Sequence, residues 1–255
     1  MTAPLKVWIE AEGRLLRMRL SRPKANLVDA AMIAALDAAF AEHRNNVHLS
    51  AVLIDAEGPH FSFGASVEEH LPGQCVAMLT GLHRLVLRMV ESPITILVAV
   101  RGQCLGGGLE LALAGHLIFL TPDTTLGQPE MKLGVFAPAA SCLLPELIGP
   151  MRAFDLLVSG RNITGTDAVA IGIAREAAAD PERAALAYFD EHLKPKSTSS
   201  LRHAVVAARL DYVERVKSKI AMVERLYLDK LMITRDAVEG LEAFIAKRPA
   251  KWEHR

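Results

Sequence analysis

Cysteine is the first scarcity in this chain. Cys75, Cys104 and Cys142 are all it has, far apart and without a C-x-x-C pair. That excludes a disulfide scaffold and a structural zinc ribbon, and it suits a reducing compartment. An excess of one charge is missing too, since 29 Lys and Arg balance 29 Asp and Glu. Nothing in that balance points to nucleic acid or an anionic membrane surface as a partner. Long apolar runs are also absent. "ITILVAV", residues 94–100, falls far short of the ~20 residues a membrane helix needs. The opening "MTAPLKVWIEAEGR" carries no apolar secretory core. These absences predict a cytoplasmic protein with no membrane partner.

Several catalytic signatures fail on inspection. The glycine triplet at 106–108 meets the first two positions of G-x-G-x-x-G, but the last falls on Leu111, so the dinucleotide fingerprint is incomplete. No G-K-[ST] follows a glycine loop, which excludes a P-loop. "GASVE" begins as a nucleophile elbow around Ser66, then places Glu68 where G-x-S-x-G needs glycine. H-E-x-x-H is absent, and the nine histidines lack ligand spacing. His60, His70 and His83 accordingly read as surface or capping residues, and no metal site is expected.

What is present is ample core material. Half of the 255 residues are hydrophobic (51%), enough for one large domain or a domain with a helical appendage. "LKVWIEAEGRLLRMRLS" reads as a hairpin turning at Glu12 and Gly13, and Asn26 or Asp29 as the cap of a helix reaching about Arg44. "SAVLIDA" and "ITILVAV" read as buried strands flanking a helix over 74–91, with Pro93 ending that helix. A short helix follows the glycine triplet, and "HLIFL" and "TTLG" continue the strand pattern. Beyond about Ala140 the periodicity turns helical, interrupted by a linker-like "DEHLKPKSTSS". Mixed elements followed by helices predict an α/β core with a helical C-terminal part.

Four pieces carry chemistry. In "FSFGAS", Gly64 permits a tight turn and Ala65 offers an unencumbered amide. In "LGGG", amides point outward at the positive end of a helix. Two such donors converging on one point make an oxyanion hole, and a side chain there would block it. Glu110, and Glu130 of "LGQPEMKLG", are the third and fourth. Taken singly, the glycines suit a turn, Glu110 a solvated helix face and Glu130 a loop. Together they suit a paired-carboxylate site. Two carboxylates that close share a proton near neutrality, giving one acid and one base to move H and OH across a double bond.

Several ordered segments resemble the crotonase (enoyl-CoA hydratase/isomerase) superfamily. They are "LSRPKANLVDAAMIAALDAAF", "HFSFGAS", "VRGQCLGGGLELALAGHLIF", "LGQPEMKLGVFAP", "SGRNITGTDAVAIGIA" and "DAVEGLEAFIAKRP", which together span nearly the whole chain. The resemblance implies a spiral of ββα units over 1–194 and a helical trimerisation region over 195–255. It implies that Ala65 and Gly107 donate the oxyanion amides and that Glu110 and Glu130 are the two catalytic glutamates. Lys24, Phe63, Phe244 and Lys247 fall at positions near coenzyme A in relatives. Homotrimers or hexamers are implied, with an acyl-CoA substrate and no further cofactor.

The departures from the family are informative. Ser66 replaces a common Asp, and "AASCLLPELIG" puts Ala140, Ser141 and Leu144 where a Gly-Gly pair and an Arg are usual. With these changes the chain is most similar to members that hydrate a cyclic, conjugated dienoyl-CoA in the anaerobic benzoyl-CoA route. Ordinary hydration or isomerisation of open-chain acyl-CoA is the alternative within the family. A non-catalytic acyl-CoA- or RNA-binding relative is the alternative outside that chemistry.

Overall fold

A computed structural model describes residues 3–255. The chain opens with the expected hairpin, β1 (Leu5–Glu10) antiparallel to β2 (Leu15–Leu20). Its turn runs through Ala11, Glu12 and Gly13, all with positive φ, and glycine adopts that region without a Cβ penalty. The first helix, α1 (Ala30–His43), is capped by Asp29, whose carboxylate accepts the Met32 amide at 2.9 Å. Asn26, the other capping candidate, is wholly buried in a left-handed conformation. Its side-chain amide donates to the Glu57 and His60 carbonyls, at 3.0 Å each. The "RPKAN" loop is thereby tied to the segment that leads into "FSFGAS".

Four further strands extend the sheet in parallel beyond β2. They are β3 (Ala51–Ala56), β4 (Thr95–Val100), and, later in the chain, β6 (Leu117–Leu120) and β9 (Glu176–Ala177), giving the order β1-β2-β3-β4-β6-β9. The helix α2 (Cys75–Val90) crosses between β3 and β4. Every residue of β4 is buried, as expected of a parallel strand covered on both faces. Alternation sorts its side chains. Ile96, Val98 and Val100 join the main core with α1 and α2, while Leu97 and Ala99 pack on the other face with Phe119 and Phe189.

A second, three-stranded sheet has the order β5-β7-β8, from β5 (Gln103–Leu105), β7 (Thr125–Gly127) and β8 (Asn162–Thr164). β4 is followed by β5 and then α3 (Gly107–Leu113). β6 is followed by β7 and then a 3-10 turn, Pro129–Leu133. The chain thus sends one strand to the large sheet, one to the small sheet, then a helical segment. This is the expected spiral of ββα units.

The remaining helices are α4 (Pro138–Ile148), α5 (Pro150–Ser159), α6 (Gly165–Ile171), α7 (Pro181–Tyr188), α8 (Thr198–Leu226) and α9 (Arg235–Ile245). Two expectations change here. β8 and β9 interrupt the stretch read as purely helical, being too short to imprint an alternating pattern. The linker-like segment is largely helical as well. A π-helical turn, Phe189–Leu193, prolongs α7, because Phe189 and Leu193, four residues apart, are both buried against the sheet. Ser197 then caps α8 by accepting the Ser200 amide. From α8, Val216 and Ile220 enter the main core.

One polar cluster is built into the sheet. Arg17, 3% exposed, donates to Asp55 at 2.6 Å, Glu10 at 2.9 Å and Glu182 at 2.5 Å, while Arg19 also pairs with Asp55. Buried charge is tolerated only when paired in this way.

Candidate active site

Three segments run side by side in one direction at the end of the small sheet. Ser62 forms a parallel bridge with Cys104 of β5, and β5 pairs in parallel with β7, Leu105 opposite Gly127. The Ser62 amide donates to Gln103 O at 3.0 Å, the Leu105 amide to Ser62 O at 3.0 Å, and the Gly106 amide to Gly127 O at 2.9 Å. Residues 63–65, 106–108 and 128–130 therefore emerge together at the carboxyl ends of parallel segments. Ligand sites of parallel sheets form at such ends.

Each glycine of the triplet answers a different neighbour. Gly106 has φ +49°, and a Cβ there would stand 2.6 Å from Glu130 Oε1. A Cβ on Gly107 would stand 3.1 Å from the Ala65 amide nitrogen, and one on Gly108 would overlap Ser62 Cβ at 2.5 Å. The amides of Ala65 and Gly107 are thus close neighbours, and neither has a hydrogen-bond partner among the described residues. Gly107 opens α3, so its amide also lies at the positive helix end. Two free donors side by side are what a developing oxyanion needs.

Glu110 lies one turn into α3, its amide bonded to Gly106 O at 2.9 Å. It is 3% exposed, which removes the solvated-helix reading. Its Oε1 accepts the Ala140 amide from the first turn of α4 at 2.8 Å. Burial raises its pKa, opposed by the amides of Ala140 and Ala139 and by His83. Glu130 is pushed up to about 8, first by burial and then by the charge of Glu110. Gln128, 2% exposed, donates to both Glu130 oxygens, at 3.1 and 3.2 Å, with its amide oriented to suit those neighbours. Amides favour the ionised form of Glu110, and that charge favours the proton on Glu130. The two carboxyls sit in unlike surroundings, Glu110 held by the Ala140 amide and Glu130 beside Gln128.

The remaining sequence candidates fall into two groups. Lys24 (φ +90°) and Phe63 share one loop surface, where the Phe63 amide donates to Ala25 O at 2.9 Å, and Phe63 is 43% exposed. Phe244 and Lys247 sit together at the C-terminal end of α9, both exposed, with the Lys247 amide bonded to Phe244 O. No hydrogen bond joins the two groups among the described residues. Ser66 has no histidine base, because its hydroxyl donates to the Glu68 carboxylate at 2.9 Å and His70 meets its carbonyl instead. A cavity of about 740 Å³ lies between α1, α2 and α8, and neither Glu110 nor Glu130 lines it.

His83 corrects the surface reading given to the histidines. It is 2% exposed on α2, with Nδ1 2.5 Å from Glu224 of α8. Its spacing from Leu79 and Val86 already put it on the apolar face of α2, but its partner lies 141 residues away. Gln128 and the Ala140 amide also escaped sequence reading. The first stands inside the quoted "GQPE", and the second is a backbone group with no sequence signal.

The fold and the two carboxylates beside two free amides are those of one family, which can be named. The chain belongs to the enoyl-CoA hydratase/isomerase family, whose profile matches residues 10–255. It is 61% identical, over its full length and 98% of the relative's, to the cyclohexa-1,5-dienecarbonyl-CoA hydratase of Thauera aromatica. A probable enoyl-CoA hydratase of Bacillus subtilis (strain 168) is 29% identical over 92% of this chain and 94% of its own. Among solved structures, the enoyl-CoA hydratase of Bacillus halodurans superposes with a TM-score of 0.87 at 19% identity, covering 94% of this chain and 99% of that one. That likeness concerns the fold.

Proposed function

We propose that this protein is a hydro-lyase that adds water to a conjugated cyclic dienoyl-CoA. The substrate of this reading is cyclohexa-1,5-diene-1-carbonyl-CoA and the product 6-hydroxycyclohex-1-ene-1-carbonyl-CoA, a step in anaerobic degradation of aromatic compounds through benzoyl-CoA. The observation that carries the chemistry is buried Glu110 with half-buried Glu130, beside two unpartnered amides. The identity to the Thauera aromatica hydratase supports the ring substrate.

In this mechanism the thioester carbonyl lies between the amides of Ala65 and Gly107. Glu110, ionised, orients the water and takes its proton as oxygen attacks the β carbon. Negative charge moves onto the carbonyl oxygen, where losing one preorganised donor typically costs ~3–4 kcal/mol in the barrier. Glu130 delivers its proton to the far end of the resulting dienolate, leaving one conjugated double bond. Proton and water transfer involve no redox change, so coenzyme A enters only as part of the substrate. Lys24, Phe63, Phe244 and Lys247 are assigned to the coenzyme A moiety. We place the protein in the cytoplasm as a homotrimer or a hexamer, with residues 195–255 as the trimerisation region.

Incubation with the cyclic dienoyl-CoA, followed by mass and NMR analysis of the product, tests the reading. Addition of 18 mass units with the hydroxyl on the ring carbon next to C1 is the expected result. Turnover of crotonyl-CoA alone would move the assignment to open-chain substrates, and thioester binding without hydration of either would make it a binding protein.

A further inference from the structure

The segment after α9 folds back onto the turn that carries Glu130. Lys247 reverses the chain in a left-handed conformation, φ +52°. The Lys247 amide donates to Phe244 O at 3.0 Å and the Arg248 amide to Ala243 O at 2.9 Å, the paired bonds of a Schellman turn. Residues 248–255 then return along α9 to its first turn. Glu239 accepts the Lys251 amide at 2.7 Å and pairs with Arg248 at 2.6 Å. The Asp236 carboxylate accepts the amides of Glu253 and His254, at 2.7 and 2.8 Å. Arg255 O accepts the Arg235 amide at 2.8 Å, one of the donors that a helix start leaves without an internal partner. The returning segment is thereby fixed to α9 along its length.

What this return places is the indole of Trp252. A Cβ on Gly134 would stand 3.0 Å from Trp252 Cζ3 and 3.3 Å from Cη2. A Cβ on Gly240 of α9 would stand 2.9 Å from Cη2 and would overlap Leu133 O. Two bare backbones therefore let α9, the indole and the Leu133–Gly134 peptide meet in one place. Trp252 is 42% exposed and belongs to none of the apolar clusters that build the core. The covered part of its ring lies against the end of the Glu130 turn. There the Gly134 amide donates back to Glu130 O and Met131 O, and the Val135 amide donates to Glu130 O at 3.2 Å. The residue under the indole is thus bonded to the residue that carries the carboxyl. A 3-10 turn has poor hydrogen-bond geometry, and none of the residues Pro129–Leu133 is fully buried. Such a turn needs outside support to hold a side chain as closely as catalysis requires.

We propose that Trp252 is a positioning residue for Glu130, clamping Gly134 so that the 3-10 turn holds the carboxyl beside Gly106 and Gln128. The effect on turnover rests on the hydratase reading. Trp252 touches neither substrate nor the reacting atoms. It acts through Gly134 and the bonds that tie Gly134 to Glu130 O, and the anchors at Asp236 and Glu239 keep the indole in place.

Trp252→Ala empties the space over Gly134 and removes no hydrogen bond of the turn. Hydration is expected to lose kcat about tenfold, less than the ~100-fold that a full ångström of misplacement costs. KM for the dienoyl thioester stays within about twofold, since the loss falls on the reacting geometry rather than on binding. Trp252→Phe keeps a ring over Gly134 and recovers kcat to within about threefold of wild type, a scale set by the usual cost of a small surface change. Asp236→Ala keeps the indole but cuts two of its anchors, and lowers kcat as Trp252→Ala does. Unchanged kcat in Trp252→Ala would overturn the proposal, and so would a lowered melting temperature with unchanged kinetics, which would make the indole a packing group. A second readout needs no substrate. With carbon-13 in the glutamate carboxyls, and Glu130→Gln to assign the signal, the Glu130 titration moves toward the ordinary carboxylate range in Trp252→Ala. A loosened turn admits water, and burial is the first cause that holds Glu130 up, with the charge of Glu110 second. If the wild type hydrates neither the cyclic thioester nor crotonyl-CoA, the hydratase reading fails by itself. The titration then decides the positioning role, which an unmoved Glu130 signal overturns.

Discussion

Glu130 Oε1 occupies the space in which a side chain on Gly106 would begin, 2.6 Å from where that Cβ would sit. The bare backbone of the triplet is therefore also the seat of the second carboxylate. Gly106→Ala is expected to displace Glu130 and to strain a backbone held at φ +49°. Steady-state hydration should fall about 100-fold or more, a scale set by what slight misplacement costs. Near-wild-type turnover would mean that Glu130 does not work from this position.

Burial and the Glu110 charge raise Glu130 to about 8 in the folded chain, against an ordinary value of 4.5. Hydration should decline as pH rises through about 8, when the acid of the pair loses its proton. Stability follows the same proton. The unfolded chain releases it near 4.5 and the folded chain retains it, so stability is lost between those values as pH rises. Glu130→Gln does not titrate, so it should gain on the wild type in thermal melts from pH 5 to pH 9, by a difference on the order of 3 kcal/mol. A pH-independent difference would contradict the raised carboxyl.

Gln128 donates to both oxygens of Glu130. Gln128→Leu keeps the bulk and removes the donor. The expected outcome is a roughly tenfold lower kcat at pH 7, the loss of one hydrogen bond to the carboxyl. A pH–rate profile with the Glu130 limb shifted would separate this from simple misfolding.

Ser66 donates to the Glu68 carboxylate and has no histidine base. Ser66→Ala should leave hydration within about threefold of wild type, since a small change at a half-buried hydroxyl outside the core is usually minor. A loss of several orders of magnitude, or a covalent acyl adduct detected by mass spectrometry, would revive the nucleophile reading.

Arg17 holds Asp55, Glu10 and Glu182 beneath the sheet. Arg17→Ala leaves part of that negative charge buried without its partner and should destabilise the fold by about 3 kcal/mol. Denaturant unfolding reads this directly, with Arg17→Met expected to cost less because its apolar bulk is retained.

Much of this architecture was legible in the pattern of residues. The alternation in "LLRMRL" and the apolar runs of β3 and β4 marked strands that the sheet contains. "FSFGAS", "LGGGLE" and "GQPE" marked the three segments that meet. Asp29 and Asn26 were equivalent on paper because both types cap helices, and only long-range contacts to Glu57 and His60 assigned Asn26 elsewhere. β8 and β9 were hidden for a related reason, since two- and three-residue strands exist through their partners rather than through their own periodicity.

The sequence by itself determined the chemistry available here: two carboxylates, two unencumbered amides, and a composition that left most other reactions without their residues. Tertiary structure decided which of these groups face one another. It joined Ser62, β5 and β7 in parallel so that their continuations converge, and it buried Glu110 against the Ala140 amide. It also paired His83 with Glu224 across 141 residues. The reason is physical. Residue type limits which protons and hydrogen bonds a chain can offer, but burial and the charge of a neighbour set the protonation of Glu130, and both come from parts of the chain distant in sequence.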